Sequence, residues 1–207
     1  MAKESCGILL TVCSEPPDGS PFVYDYLRLA AQTGERAAAK LRLPFVVTRY
    51  GRSEDPEAEG RSIRAFEGGD VGVFSNHRMV EGLARSPFEV TLFMDSDFFV
   101  NTDALRVELE AFASGGKDVA FLERKHVRHL EEPTMNPGDV WSTLLLYRPK
   151  RSGTKEFFET VGLIAENWEF TLAKLGLPDM VFRNDLAFDL ARGTVWGEGG
   201  KGKGTFS

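Results

Sequence analysis

The chain has 207 residues, of which 42% are hydrophobic, 27% charged and 11% aromatic, with 16 phenylalanines. That is globular composition with ample material for a core, and it excludes a wholly disordered chain. A formal net charge of −6 argues against non-specific nucleic-acid or anionic-membrane binding as the main activity, although it leaves room for a local basic groove.

Met1 to Gly7 carries charge and leads into a short apolar run, so it reads as the approach to a first strand rather than a signal peptide. No apolar run approaches the roughly 20 residues that span a bilayer. Cys6 to Cys13 (CGILLTVC) is rich in β-formers and fits a buried strand. Its two flanking cysteines lie too far apart along an extended segment to bridge each other, and two free thiols point to a reducing, cytoplasmic setting. Ser14 to Pro21 is a Pro/Gly-rich loop. From Phe22 to Leu41 apolar residues recur at helical spacing (Tyr26, Leu29, Ala30, Ala37, Leu41) among Ala and Arg, which predicts a helix. Pro44 to Arg49 is a second strand, and Gly51 to Gly60 is a charged, turn-rich loop. Arg61 to Val73 is ambiguous, with Gly68 and Gly69 as breakers.

Asn76 to Ala84 reads as helix, Phe88 to Met94 as a third strand apolar enough to be central, and Thr102 to Ala113 as helix. Asp118 to Leu122 is a fourth strand and Val140 to Tyr147 a fifth. Between them, Glu123 to Glu132 is dense in charge. His126 and His129 there lack a third His or a Cys nearby, so zinc is not expected. Thr154 to Leu175 predicts one long helix containing Gly162, and Arg183 to Leu190 a last helical turn or two. Strands alternating with helices imply a three-layer α/β/α sandwich with a mostly parallel central sheet. The tail Gly197 to Ser207 has five glycines and two lysines, and is expected to be flexible unless something clamps it.

The most informative segment is Phe93-Met94-Asp95-Ser96-Asp97-Phe98-Phe99. Ligands of open α/β sheets bind outside the carboxyl ends of strands. Two carboxylates there repel each other, and a divalent cation relieves the repulsion. Oxygen ligands suit Mg²⁺ or Mn²⁺, and Mg²⁺ keeps waters and borrows phosphate oxygens. Asp95 and Asp97 therefore read as a metal site that clamps a nucleotide diphosphate, against the plainer reading of a strand-end turn with Asp97 as a helix cap.

A strand–helix–strand half, an apolar strand ending in D-x-D and a smaller following half resemble the GT-A-type glycosyltransferases, which use nucleotide-sugar donors. The resemblance implies one domain over 1–207, with a donor half (1–100), an acceptor half (101–196) and the tail (197–207). It implies that Asp95 faces the ribose or the metal, that Asp97 binds the metal bridging the diphosphate, and that Ser96 sits near the ribose. It also implies that Thr11 and Cys13, at the end of the first strand, hold base and ribose.

Arg49 contacts base or phosphate in this reading, or else is an ordinary surface arginine. Arg78, beside His77, would reach the diphosphate through the planar fork that phosphate favours. Phe182-Arg183-Asn184-Asp185-Leu186-Ala187-Phe188 resembles a late helix start that presents an acid to the acceptor. Asp185 would then be the general base of an inverting reaction with Asn184 beside the acceptor. The alternative is that both residues cap the helix. Trp141 either stacks on a sugar or belongs to the core, and Tyr147 reads as core.

One departure stands out. Many metal-dependent members supply a late histidine ligand, and no histidine follows His129 here. Water or the tail would have to complete the coordination. Lys201 and Lys203 of the tail would fold over the diphosphate when donor binds, or else belong to a disordered end. The expected activity is transfer of a sugar, from a uridine diphosphate sugar by resemblance, to a hydroxyl on a saccharide, a small metabolite or a modified nucleobase in DNA, with no membrane partner. A nucleotidyltransferase of similar fold is a second reading, disfavoured because Ser14 to Ser20 has one glycine and no basic residue. A haloacid-dehalogenase-like phosphatase would place D-x-D at the first strand. A non-catalytic nucleotide-sugar-binding protein is the remaining alternative.

Overall fold

The structure is a computed structural model describing residues 5–13, 26–51, 62–65, 71–74, 76–123, 140–179, 182–197 and 203–205. In chain order its elements are β1 (Cys6–Cys13), α1 (Tyr26–Leu41), β2 (Phe45–Tyr50), β3 (Ser62–Ala65), β4 (Val71–Phe74), α2 (Met79–Ala84) and β5 (Val90–Met94). There follow α3 (Ala104–Ser114), β6 (Val119–Glu123), β7 (Val140–Tyr147), α4 (Ser152–Glu166), α5 (Trp168–Leu175), α6 (Asn184–Trp196) and β8 (Lys203–Thr205).

Six strands form one sheet in the order β2-β1-β5-β7-β6-β8, and β3 pairs with β4 in a separate antiparallel ribbon. The β1–β2, β1–β5 and β6–β8 pairs are parallel, whereas β7 is antiparallel to both of its neighbours, β5 and β6. Five strands therefore run one way and β7 alone runs back. The carboxyl ends of β1, β2, β5 and β6 share one edge of the sheet.

The layers follow from the two-residue period of a strand. Along β1, Ile8, Leu10 and Val12 pack with Ala30, Ala37 and Leu41 of α1 and with Leu109 and Phe112 of α3. Leu9 faces the other way, into a cluster with residues of α2, α4, α5 and α6. Helices thus cover both faces, and every residue of β5 is buried, as a doubly covered central strand requires. The phenylalanines fill the larger cluster. Phe157 of α4 meets Phe121 of β6 at 5.3 Å and Phe188 of α6 at 5.3 Å, both edge-on, and stacks on Trp196 at 5.6 Å. This is the three-layer α/β/α sandwich expected from the alternating pattern.

Some boundaries differ from those expected. The ambiguous stretch contributes β3 and β4. The anticipated helix from Thr154 to Leu175 is two helices, broken at Asn167 (φ −118°, ψ 35°) rather than at Gly162. Gly162 lies within α4, which runs on to Glu166. The break lets buried Trp168 meet Phe182 edge-on at 5.0 Å. The last helix runs to Trp196, six residues beyond Leu190. Within the tail, Lys203–Thr205 is a strand, because β6 offers it an open edge. The expected loop at Ser14 to Pro21 and most of the charged segment after Glu123 lie outside the described residues.

Candidate functional site

At the shared edge, alternation sorts the side chains by face. Thr11 and Cys13 of β1 continue the phase of Leu9, toward α2. Gly82 of α2 sits so close that a Cβ there would lie 3.0 Å from Thr11 Cγ2 and 3.2 Å from Tyr50 Cδ1. Tyr50, the last residue of β2, pairs with Cys13 and is 5% exposed. Burial pushes its hydroxyl well above the ordinary tyrosine pKa, and the charges of Cys13, Asp95 and Tyr26 push the same way. Asp95 thus lies close enough for its charge to be felt at the Tyr50 ring, two strands away.

Asp95 directly follows β5 and is half-buried, while Asp97 is exposed. The turn between them is held from three sides. The Asp95 amide donates to the Thr143 carbonyl of β7 at 3.0 Å, and the Phe98 amide donates to the Asp95 carbonyl at 3.1 Å. Thr33 of α1, itself buried, donates from Oγ1 to the Ser96 carbonyl at 2.5 Å.

Asp185 lies in the first turn of α6, and its Oδ1 accepts from the Ser142 amide at 2.7 Å and from Ser142 Oγ at 2.6 Å. Ser142 precedes Thr143, the residue bonded to Asp95. Two segments 90 positions apart are therefore joined through adjacent residues of β7. A β-irregularity makes this possible. Opposite Phe121 and Leu122 of β6 stand Leu145 and Trp141, so β7 carries extra residues there. The slip changes the phase of β7. Val140, Leu145 and Tyr147 all face the α4–α6 layer, and Ser142 reaches the same side.

The remaining sequence-predicted residues fall elsewhere around this edge. Arg49 is exposed, and its phase with Val47 places it on the α1 face, opposite Thr11 and Cys13. Arg78 pairs through Nε with Glu81, and its Nη1 lies 3.7 Å from the Cβ position of Gly51, just past β2. Trp141 is half-buried and pairs with Leu122, which packs on the α3 side, away from Asp185. Asn184 is 6% exposed, with Nδ2 on Met79 Sδ at 3.4 Å and Oδ1 without a hydrogen-bond partner. His77 lies against Phe182 and the Ala165 carbonyl. The structure therefore brings Thr11, Cys13, Asp95 and Asp185 to one face of the edge and sets Arg49 and Trp141 on the other.

Sequence reasoning did not single out Tyr50, Ser142, Thr143 or Thr33. Two signals were present in the sequence. Tyr50 continues the alternation of Val46 and Thr48, and Ser142 is a polar residue inside an otherwise apolar strand.

No group of three His, Cys, Asp or Glu side chains among the described residues could hold a metal ion. Two carboxylates at a strand end, one half-buried and one open to solvent, fit a hard cation that takes its other ligands from water and phosphate. They do not fit an all-protein cage.

No protein-family profile matches the chain, and no curated protein matches it significantly. Solved structures do. The glycosyltransferase GlyE of Streptococcus pneumoniae aligns over 98% of this chain and 45% of its own, with a TM-score of 0.50 and 10% identity. The galactosyltransferase LgtC, solved with donor and acceptor sugar analogues, aligns over 96% of this chain and 72% of its own (TM-score 0.43, 15% identity). A 4-diphosphocytidyl-2C-methyl-D-erythritol synthase from Anaerococcus prevotii aligns over 98% and 88% (TM-score 0.42, 11% identity). The chain spans less than half the length of GlyE. At such identities the likeness concerns the fold alone, and that fold is the GT-A-like sandwich.

Proposed function

We propose that the chain is a metal-dependent glycosyltransferase that moves a sugar from a nucleotide diphosphate donor, a uridine diphosphate sugar by resemblance, to a hydroxyl acceptor. The observation that carries this reading is the joining of Asp95 and Asp185 through Thr143 and Ser142 at the carboxyl edge of the sheet. Such an edge is where open α/β sheets bind their ligands.

In this reading Asp95 and Asp97 hold Mg²⁺ or Mn²⁺ against the donor diphosphate, with phosphate oxygens and water as further ligands. The cation, when bound, offsets the charge that grows on the departing diphosphate. Thr11 and Cys13 line the nucleoside end, and Tyr50 closes the floor beneath them. Ser96 turns its carbonyl to Thr33, which holds the two carboxylates in one turn. The Arg78 guanidinium, near the end of β2, contributes positive charge toward the diphosphate. Asp185 accepts the proton of the attacking hydroxyl if the reaction inverts. Ser142 prevents its carboxylate from rotating out of line.

The test is a thermal-shift panel of sugar nucleotides with and without Mn²⁺, run on the wild type and on Asp97→Ala. A true donor present at about 100 times its Kd should raise Tm by about 5–10 °C, and only with metal. Asp97→Ala should lose that shift while keeping the ligand-free Tm. The reading fails if no sugar nucleotide stabilises the protein, or if Asp97→Ala responds like wild type. Products separate the alternatives. A transferase slowly releases nucleoside diphosphate from its donor, a nucleotidyltransferase releases pyrophosphate only when given a nucleoside triphosphate with a sugar phosphate instead, and a binding protein releases neither.

A further inference from the structure

Past β5 the burial of the chain alternates. Asp97 is exposed, Phe98 is half-buried, Phe99 is 53% exposed, Val100 is half-buried and Asn101 is exposed. Phe98 and Val100 pack into the α1–α3 layer. Asp97 sits in the turn closed by the Phe98 amide on the Asp95 carbonyl, and beyond it Phe99 stays open to solvent between the two inward-packed residues Phe98 and Val100. The segment is also pinned, by the hydrogen bonds of Asp95, Ser96 and Phe98.

A single exposed apolar side chain needs no explanation by itself. Phe99 differs in where it stands, on a fixed loop two residues from a carboxylate assigned to the donor diphosphate. The other strongly exposed phenylalanine among the described residues, Phe170, already has the Lys174 ammonium over its ring at 5.3 Å. A rigid, open aromatic face beside the reacting end of a donor suits a ligand with one apolar face and a polar rim, which describes a hexose ring. The charge of the whole chain narrows the choice. A formal net charge of −6 disfavours a polyanionic acceptor, whereas a neutral sugar is indifferent to it.

We propose that Phe99 is the specificity-determining platform on which the ring of a neutral saccharide acceptor stacks. The proposal rests on the donor-site reading of Asp95 and Asp97, and its test is separable from that reading. Saturation-transfer NMR with irradiation of the aromatic protons would be run with maltose, lactose and cellobiose and with a short thymidine oligonucleotide as probes. Wild type, Phe99→Ala and Phe99→Tyr would be compared in the presence of uridine diphosphate and Mn²⁺.

At least one disaccharide should receive saturation from wild type and from Phe99→Tyr, and should bind Phe99→Ala at least about tenfold more weakly. Stabilisation by uridine diphosphate and Mn²⁺, followed by thermal shift, should be equal in all three proteins. The proposal is overturned if no disaccharide binds wild type, if Phe99→Ala binds as well as wild type, or if the oligonucleotide is the probe whose binding depends on Phe99. Absence of the nucleotide–Mn²⁺ shift in wild type would instead sink the donor reading, and the disaccharide signals would still decide the role of Phe99.

Discussion

A carboxylate in the first turn of a helix can turn to the free N–H groups of its own helix or to another element. Asp185 turns to β7, where the amide and hydroxyl of Ser142 both donate to Oδ1. Its neighbour Asn184 points into the core, and its amide oxygen has no partner there, an arrangement that costs about 1–3 kcal/mol relative to a satisfied group. Asp185→Asn keeps the shape and an oxygen that can accept from Ser142, but cannot take a proton from a hydroxyl. We expect that variant to keep its Tm within about 2 °C and its donor Kd within about twofold, while kcat falls about 100-fold or more. Steady-state kinetics with a donor titration would decide it. A variant at full rate would reduce Asp185 to an anchor between α6 and β7.

At the scale of elements, α1 shows close packing overriding intrinsic preference. Gly34 sits inside this Ala-rich helix, where glycine costs up to about 1 kcal/mol relative to alanine. A Cβ at Gly34 would come within 2.4 Å of Phe45 Cδ2 and 3.1 Å of Leu10 Cδ1. Overpacking of that kind costs about 1–3 kcal/mol. The clash wins, and Gly34→Ala should lower Tm by about 3–6 °C in thermal unfolding. An increase in Tm would mean that half-buried Phe45 swings aside freely. The same principle acts on β7, whose irregularity opposite β6 reverses the facing of its residues part-way along. The strand can then fill the core with Leu145 and Tyr147 and still hand Ser142 to α6.

For the molecule as a whole, buried hydroxyls tie the layers together. Tyr147 of β7 donates to the Leu83 carbonyl of α2 at 2.6 Å. Burial raises its pKa above the ordinary value, against hydrogen bonding with Thr91 and Ser86, which lowers it. Tyr50 is raised likewise, by burial first. In the unfolded chain both lose their protons near pH 10, while the folded protein holds them. Their contribution is therefore intact below about pH 10 and is lost as pH rises beyond it, at about 1.4 kcal/mol per pH unit for each tyrosine. Tyr147→Phe should be less stable than wild type at pH 8 by about 1–2 kcal/mol, for want of its hydrogen bond. Above pH 10 its stability should fall less steeply, by one proton. Urea unfolding between pH 8 and 11.5 would show this. Parallel curves above pH 10 would mean that Tyr147 titrates freely in the folded protein.

What the sequence by itself determined was local. The apolar runs at Cys6 to Cys13 and Phe88 to Met94, the helical spacing from Tyr26 to Leu41, and the acids directly after a buried strand are each legible within about 20 residues, because strand and helix periods are set by neighbours along the chain. The alternation of these elements was enough for the sandwich. Only the tertiary structure decided that β7 runs backward between β5 and β6, that Lys203–Thr205 completes the edge, and that Trp141 and Asp185 face opposite sides. It alone joined the acids at 95 and 185 and buried Tyr50 where the charge of Asp95 reaches it. Each of these depends on pairing or packing between different elements that are separated along the chain. Such contacts form by register, bulge and shape complementarity across the sheet, for which a chain read residue by residue carries no period.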